Sequence, residues 1–349
     1  MKQSQKITIK EVAQMSGVSA MTVSRVIKNQ GYIAESTKNR ILQVIDALGY
    51  VPLQSARNLS GSYPRVIGIV IPSYIELRKL RQGYEYEYAL MMGALNICNE
   101  FGYAVTILEI RNENDVKMLV KRITSRQIGA YIVAAPATEY PGLSRTLKEN
   151  EIIFSTISAF NDEESILIVK ADERSATYKM VKSMLEMGHK RLAFIGGTKN
   201  QTATIERQQG YVDAITENSH VKIYSEIYQA GVFFEDGYRE GLKILKKKNR
   251  PTAIQCLTDD IAAGVIAAAN ELGIQLPSEL SICGFDNFGL ARKTTPALTT
   301  AHLPAEEMAE MAARQVIKAL EKKDQGHAVL FNCDVIFRSS TSNLASKSI

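Results

Sequence analysis

Residues 8–27 constrain the fold of this chain more than any other stretch, because they mark out two short helices and a tight turn. Thr8 is placed to cap a first helix, and Ser19 is placed to cap a second. Gly17 stands where the chain must turn sharply, since glycine adopts positive φ without a Cβ clash. Apolar residues recur at helical spacing on one side of each helix: Ile9, Val12 and Ala13 in the first, Val23 and Val26 in the second.

The other side of the second helix carries small, polar and basic residues, which are Ala20, Met21, Ser24, Arg25 and Lys28. A short helix with such a face is suited to the major groove of DNA. An ordinary helical hairpin inside a larger core fits the same pattern. A third helix decides between them: it begins at Ser36 and ends at Gly49, with apolar residues at helical spacing between. Three short helices suffice for a free-standing helix-turn-helix domain.

Charge is unevenly distributed along the chain, which has 42 Lys and Arg against 37 Asp and Glu. The first 63 residues contain eight basic and three acidic residues. The remainder contains 34 of each sign, so the whole excess of five positive charges lies on the predicted helix-turn-helix segment. This distribution is typical of a protein that contacts phosphates through one domain.

A chain of 349 residues predicts two or three domains. No apolar run approaches the ~20 residues of a membrane span, and the polar N-terminus is unlike a signal peptide, so we expect a cytoplasmic protein without a membrane partner. The four cysteines and four histidines occur singly, so neither a disulfide nor a metal site is expected.

No recognisable nucleophile motif pairs Ser or Cys with His and Asp, so the sequence indicates no enzyme and no cofactor. Gly196-Gly197 lacks both the dinucleotide-binding and the phosphate-loop pattern. Asp259-Asp260 follows a predicted strand and suits either a metal site or a ligand at a strand end.

From residue 65 onward, apolar strands alternate with amphipathic helices, which predicts parallel sheets covered on both faces. Roughly eight strands and a returning helix fit two doubly wound lobes better than one. The predicted strands are residues 66–71, 104–110, 130–135, 152–157, 192–196, 227–229, 253–257 and 280–284. The predicted helices are 89–100, 116–125, 173–187, 204–217, 236–247, 261–272 and 305–320.

Specific motifs distributed over residues 7–340 resemble the lactose-repressor/galactose-repressor (LacI/GalR) family of bacterial transcription factors. Residues 9–26 read Ile-Lys-Glu-Val-Ala-x-x-Ser-Gly-Val-Ser-x-x-Thr-Val-Ser-Arg-Val. Later matches are Tyr50-x-Pro52 with Ala56 and Leu59, Gly188-His-Lys-Arg-Leu-Ala-Phe-Ile-Gly-Gly197, Arg207-x-x-Gly-Tyr211, Gly284-Phe-Asp-Asn287, Pro296-Ala-Leu-Thr-Thr300 and Arg338-Ser.

The resemblance implies an all-α helix-turn-helix domain and an α/β core like that of periplasmic binding proteins, with two doubly wound parallel-sheet lobes. The expected boundaries are 1–51 for the DNA-binding domain, 52–63 for a hinge, 64–340 for the core and 341–349 for a tail. The first lobe takes residues 64–172 and 301–328, and the second takes 173–300 and 329–340. The tail has no heptad repeat, so a dimer is expected rather than a coiled-coil tetramer.

The resemblance also assigns residues to a pseudo-palindromic DNA operator. Ala20, Met21 and Arg25 are the expected base readers. Ser19, Thr22, Ser24 and Asn29 are expected near phosphates, and Thr8 completes the DNA-binding set. Leu59 matches a hinge leucine that wedges into the minor groove, although a plain linker fits the composition of residues 52–63 equally well.

Arg207, Phe233 and Asp286 match effector positions of the family, with Thr258 and Ser73 beside them. Their chemistry suits a sugar, because Arg and Asp pair with neighbouring hydroxyls and an aromatic ring packs on a pyranose. Each residue also has a structural alternative: a surface ion pair for Arg207, a cap for Asp286, and core packing for one of Phe233 and Phe234.

The sequence therefore predicts a repressor of a carbohydrate-utilisation operon that responds to a small effector between the lobes. Two alternatives stay open: a solute-binding protein with the same core but no regulatory role, and a regulator that responds to a nucleoside or a sugar phosphate. The stretch from residue 74 to 88 is unusually rich in Tyr and charge, and its role cannot be inferred from the sequence.

Overall fold

The computed structural model forms two compact units, Met1–Pro64 and Arg65–Ile349. It describes residues 7–27, 31–48, 50, 63–72, 85–110, 113–124, 127–140, 142–158, 167–197, 201–322 and 326–344. The predictions for Asn29, Leu59 and Ser73, and for hinge residues 52–62, lie outside the described residues.

The first unit contains three helices, α1 (Ile9–Ser16), α2 (Ala20–Ile27) and α3 (Glu35–Leu48). They close on a small core in which Val12, Val23 and Ile41 are fully buried. This is the predicted three-helix arrangement. Helix α3 begins one residue before the predicted Ser36, because the Ala34 carbonyl already accepts hydrogen bonds from the Thr37 and Lys38 amides at 2.9 and 3.0 Å.

The turn between α1 and α2 has the geometry that its sequence predicts. Gly17 has φ +64°, a left-handed conformation that is costly for residues with a Cβ. The next amide, that of Val18, donates to the Ala13 carbonyl at 3.1 Å, and the Val18 side chain packs against the three-helix core. The turn therefore holds the two helices in a defined relation.

The second unit alternates strands and helices. Its strands are β1 (Val66–Pro72), β2 (Ala104–Ile110), β3 (Ala130–Ala134), β4 (Ile153–Ile157), β5 (Leu167–Ala171), β6 (Arg191–Gly196), β7 (Tyr224–Gln229), β8 (Ala253–Cys256), β9 (Ser281–Cys283), β10 (Thr300–Ala301), β11 (Val329–Phe331) and β12 (Val335–Ile336). Its helices are α4 (Glu85–Glu100), α5 (Glu113–Thr124), α6 (Leu143–Glu149), α7 (Glu173–Glu186), α8 (Thr202–Glu217), α9 (Phe234–Leu245), α10 (Asp259–Glu271) and α11 (Ala305–Leu320).

The strands form two parallel sheets, one in each lobe. The order in the first lobe is β2-β1-β3-β4-β5-β11, and the order in the second lobe is β7-β6-β8-β9. In each sheet the second strand along the chain lies on one side of the first strand, and the later strands lie on its other side, as in doubly wound folds. Such switch points bind ligands at the carboxyl ends of the strands. A short antiparallel pair, β10 with β12, completes the described strands.

All eight predicted strands and all seven predicted body helices are present, with ends shifted by a few residues. The sequence analysis missed β5, α6 and the short strands β10 to β12. One lobe assignment is wrong: β11 pairs in parallel with β5, so residues 329–331 belong to the first sheet and not to the second lobe. A run of three apolar residues is too short to reveal this pairing.

The Arg207-x-x-Gly-Tyr211 motif has a packing role as well. A Cβ at Gly210 would lie 2.2 Å from the Arg174 carbonyl oxygen, so glycine allows α8 to approach α7 closely. Tyr211 is fully buried one residue later, and its ring lies 5.5 Å from that of Phe194. The motif thus places the buried face of α8 against its neighbours and directs Arg207 toward the strand ends.

Among the described helices, none combines the length and the apolar character that crossing a bilayer requires.

Candidate functional site

The outward face of α2 is smaller than the sequence predicts. Met21 is 67% exposed and Arg25 is exposed, so both are available to a partner. Ala20 is only half exposed and packs against the three-helix core, because it occupies the first turn of α2 beside that core. Its assignment to the open face is therefore only partly correct, whereas Thr22 and Ser24 lie at the margin of the face.

Two residues of the predicted DNA-binding set, Ser19 and Thr8, also make hydrogen bonds at the starts of helices. The Thr22 amide donates to the Ser19 hydroxyl oxygen at 3.1 Å, which caps α2. At the start of α1, the Glu11 carboxylate accepts from the Thr8 amide at 2.6 Å and from the Thr8 hydroxyl at 2.9 Å. The bond from the Thr8 amide lowers the pKa of the Glu11 carboxyl. Contact of these side chains with DNA stays a prediction.

A second candidate site lies between the two lobes, in a cavity of about 180 Å³. Its lining comes from segments that follow the carboxyl ends of the parallel strands in both sheets. Pro136 and Glu139 follow β3, Glu173 follows β5, and Phe233 and Asp286 follow β7 and β9. This is the edge at which doubly wound folds bind ligands.

Arg207 is the central cation of the cleft, and its side chain is only 4% exposed. Its Nε donates to the Glu173 carboxylate at 2.7 Å, and its Nη1 lies 3.1 Å from an Asp286 oxygen. Nη1 also donates to the Leu257 carbonyl, and the guanidinium lies 3.7 Å from the centre of the Phe285 ring. The structural alternative of a surface ion pair is therefore wrong, because Arg207 is buried between two carboxylates.

The Asp286 backbone has φ +112°, a conformation that residues other than glycine rarely adopt. Burial raises the pKa of the Asp286 carboxyl, and Arg207 opposes that rise. The neighbouring Asn287 is held by Arg338, whose Nη2 donates to the Asn287 side-chain oxygen at 2.7 Å. Arg338 of the terminal Arg-Ser motif thus stabilises the loop that carries Asp286.

The remaining predicted effector residues have mixed roles. Thr258 lines the cleft but also caps α10, because its hydroxyl accepts from the Ile261 amide and donates to the Val232 carbonyl, both at 3.2 Å. Phe233 lines the cleft. Neither Phe233 nor Phe234 lies in the core, contrary to expectation: Phe234 is half-buried and stacks on Tyr238.

The acid pair that follows β8 separates into two roles. Asp259 is buried and accepts from the Thr300 hydroxyl at 2.7 Å and from the Asn287 amide at 2.8 Å. Burial raises the pKa of the Asp259 carboxyl to about 7. Asp260 lines the cleft instead, where burial and then Glu85 raise its pKa to about 6. The described residues contain no cluster of three or more His, Cys, Asp or Glu suited to a metal ion.

Several cleft residues were missed by the sequence analysis, namely Glu85, Tyr86, Glu87, Glu139, Ser158, Glu173 and Phe288. Glu85 to Glu87 belong to the Tyr- and charge-rich stretch whose role the sequence left open. Glu173 follows a strand that was not predicted, so its position at a strand end was not visible. Glu139 connects the lobes, because it accepts a hydrogen bond from the Thr202 amide of α8 at 2.8 Å.

Comparison with known proteins agrees with this architecture. Residues 8–53 match bacterial regulatory proteins of the lacI family, and residues 181–341 match the periplasmic binding protein-like domain. The transcriptional repressor PurR of Histophilus somni (strain 129Pt) is 28% identical over 97% of this chain and 99% of its own length.

Solved structures show the same fold. The Lac repressor dimer bound to operator and an anti-inducer has a TM-score of 0.82 and 18% identity, over 98% of this chain and 100% of that chain. A complex of the transcriptional regulator CelR with cellobiose has a TM-score of 0.72 and 19% identity, over 96% and 99%.

A helix-turn-helix domain joined to a two-lobed, periplasmic-binding-protein-like core defines the class of the protein. Both domain matches and the full-length relatives agree on the narrower assignment. The chain belongs to the LacI family of bacterial regulatory proteins and is a DNA-binding transcriptional regulator.

Proposed function

We propose that this chain is a homodimeric repressor of a carbohydrate-utilisation operon, controlled by a sugar-like effector in the interlobe cleft. The observation that carries the proposal is the arrangement of Arg207 and Asp286 beside aromatic side chains at the strand ends. Carboxylate oxygens accept from sugar hydroxyls, and aromatic rings pack against the apolar face of a pyranose.

Two further features of the cleft favour a hydroxyl-rich ligand. The Ser158 hydroxyl lines the cleft and has no hydrogen-bond partner among the described residues. The rings of Tyr86 and Phe288 come from different lobes and lie 6.4 Å apart. The similarity to a regulator in complex with cellobiose supports the same ligand class.

The charge of the cleft disfavours a sugar phosphate. Its described lining contains six carboxylate side chains, Glu85, Glu87, Glu139, Glu173, Asp260 and Asp286, against one guanidinium. That guanidinium is already engaged by Glu173 and Asp286. A phosphate would therefore meet like charges at short range, which is strongly unfavourable in a partly dry cavity.

DNA binding by α2 of each subunit suits a pseudo-palindromic operator. Arg25 is the proposed guanine reader, and Met21 with Ala20 supplies apolar contacts. Ser19, Thr22, Ser24 and Asn29 bind near phosphates, and Thr8 completes the DNA-binding set. Leu59 is the proposed minor-groove wedge of the hinge. Whether the effector induces or corepresses depends on which lobe arrangement brings the two hinges together.

Exposed apolar residues on the first lobe support a homodimer. Ile107 at the sheet edge and Met118 of α5 are 49% and 55% exposed and border one depression. Tyr88 and Leu95, seven residues apart on α4, are exposed as well. Apolar residues of this kind are covered in stable dimers.

The proposal is tested with DNA from the region upstream of the protein's own gene. We expect tight, salt-sensitive binding to a palindromic segment and a change in that affinity when a sugar ligand is added. A protein that binds sugars but no palindromic DNA would instead be a solute-binding protein. A response to sugar phosphates or nucleosides alone would replace the proposed effector class.

A further inference from the structure

Glu87 is the most unusual carboxylate of the cleft. It lies in the first turn of α4, lines the cavity, and is only 6% exposed. Its Oε2 is buried and has no hydrogen-bond partner among the described residues. A buried carboxylate oxygen without a partner costs free energy, so the fold keeps Glu87 at that expense.

Placement at a helix N-terminus does not account for Glu87. The positive end of the helix dipole favours acids in a first turn, and this suffices for Glu85, which is exposed. The dipole stabilises a carboxylate only modestly, whereas burying a carboxylate with an unpartnered oxygen is costly. A ligand that pairs with Glu87 in the occupied cleft resolves the discrepancy.

The charges around Glu87 indicate the sign of that ligand. Glu85 lies two residues before Glu87 on α4. Asp260 faces the same cavity from the first turn of α10 in the other lobe. Burial, and then Glu85, raises the pKa of the Asp260 carboxyl. Among the described lining residues the one cation is Arg207, which already forms ion pairs with Glu173 and Asp286.

Aromatic rings complete the site. Tyr86 stands between the two glutamates in sequence, and Phe288 and Phe233 line the cavity from the second lobe. Carboxylates together with aromatic faces form a typical environment for an ammonium group. The volume of about 180 Å³ exceeds the ~150 Å³ of an engineered cavity that binds benzene, so it accommodates a single six-membered ring.

We propose that the effector is a monosaccharide-sized amino sugar whose ammonium group is bound by Glu87, with Glu85 and Asp260 around it. This inference rests on the proposed effector role of the cleft and narrows its ligand class. An ammonium group at this position would also explain how the ligand closes the two lobes. The like charges of Glu85 and Asp260 oppose the approach of the lobes, and an ammonium between them removes that repulsion. The ligand therefore binds the closed arrangement more tightly than the open one.

The test is a calorimetric titration of the full-length protein with matched sugars. The panel contains glucosamine, galactosamine and mannosamine, the corresponding glucose, galactose and mannose, the N-acetylated amino sugars, and the hexose 6-phosphates. We expect at least one amino sugar to bind about tenfold or more tightly than both its hydroxyl and its N-acetyl counterpart. N-acetylation is informative because it keeps the nitrogen and removes the charge.

Variants then locate the ammonium. Glu87→Gln should weaken binding of the preferred amino sugar about tenfold or more and reduce its advantage over the hydroxyl counterpart. Asp260→Asn should act in the same direction from the other lobe. Glu100→Gln is the matched control, because Glu100 ends the same helix at the surface, where it pairs with Arg314 at 3.0 Å. It should bind the amino sugar like the wild type.

The outcomes separate this inference from the proposed function. Equal or tighter binding of neutral or phosphorylated sugars, or binding of no amino sugar at millimolar concentration, would each overturn the inference. The operator experiment stands apart from these results. A neutral sugar that changes operator affinity would support the proposed function while removing the amino-sugar effector. Amino-sugar binding without operator binding would support the amino-sugar ligand while removing the proposed repressor function.

Discussion

At the scale of single residues, the cleft is defined by charges that the fold buries. Arg207 is enclosed by Glu173, Asp286 and the Phe285 ring, so it holds these side chains of the cleft together. Burial acts to lower the pKa of Arg207, but Glu173 and Asp286 outweigh it and raise the pKa above its ordinary value. Substitutions here must therefore be interpreted through stability as well as binding.

Arg207→Ala should destabilise the protein by about 3–5 kcal/mol, because it leaves the Glu173 carboxylate buried without its partner. Asp286→Asn should be milder and should mainly reduce the response to effector. Urea unfolding measures the first effect and ligand titration the second. Adding Glu173→Gln to Arg207→Ala should recover part of the lost stability. An additive double-mutant cycle would show that the two residues are not coupled.

Glu87→Gln should stabilise the ligand-free protein above neutral pH. Burial, and then Glu85, raises the pKa of Glu87 from 4.5 to about 7 in the folded protein. Between these pH values the unfolded chain has released a proton that the folded protein retains, so stability falls as pH rises. At pH 8 the variant should exceed the wild type by up to about 3 kcal/mol.

The measurement for Glu87→Gln is urea unfolding between pH 4.5 and 8, with Glu100→Gln as the control. The wild type and the control should lose stability relative to Glu87→Gln across this range. Parallel pH profiles for all three proteins would show that the Glu87 carboxyl is not perturbed in solution.

At the scale of elements, the recognition helix α2 combines three functions within eight residues. Val23 and Val26 bury one face, the Ser19 hydroxyl caps its start, and Met21 and Arg25 project from the open face. Because burial and capping already use the other positions, the open side chains are those free to determine which bases are read. Sequence preference should therefore depend on few residues.

Arg25→Ala should weaken operator binding by roughly 1–3 kcal/mol and relax the preference at one base pair of each half-site. The substitution removes the proposed bidentate contact with a guanine. Lys28→Ala, by contrast, should weaken all duplexes alike, because lysine contacts phosphates as a point charge. Affinity measurements on operators with single base changes compare the two. Equal losses on every duplex for both variants would refute the assigned face.

At the scale of the whole molecule, regulation requires that the cleft and the DNA-binding domain communicate. The excess positive charge lies in the first 63 residues, and the described lining of the interlobe cleft is rich in carboxylates. The segment from residue 54 to 59 is too short to form a stable helix alone, so its folding would need the partner hinge and the DNA. Lobe closure in a dimer would change the spacing of the hinges and bias that folding.

Leu59→Gly should strongly reduce affinity for the operator and barely change affinity for random duplex. The substitution removes the proposed wedge and weakens a short helix. Ligand binding to the free protein should remain nearly unchanged. Affinities for both duplexes, with and without ligand, test the prediction. An equal loss on both duplexes would mean that Leu59 only joins the domains.

The sequence by itself determined the architecture of this protein, because local patterns carry that information. Capping residues, the Gly17 turn and helical spacing predict the first unit, and strand–helix alternation predicts the second. Arg207, Phe233 and Asp286 were also found at the strand ends of the cleft. Sequence reasoning missed short apolar runs, such as the three-residue strand β11 and the five-residue strand β5 that precedes Glu173, because so few residues show no clear periodicity.

Only the tertiary structure decided the electrostatic character of the cleft. Glu85 and Glu87 on α4, Asp260 on α10 and Asp286 after β9 are up to 201 positions apart in the chain, yet they line one cavity. The sequence contains as many basic as acidic residues after position 63, so composition conceals a local excess of carboxylates. Burial is also a property of the fold alone, and it leaves one oxygen of the Glu87 carboxyl without a hydrogen-bond partner among the described residues.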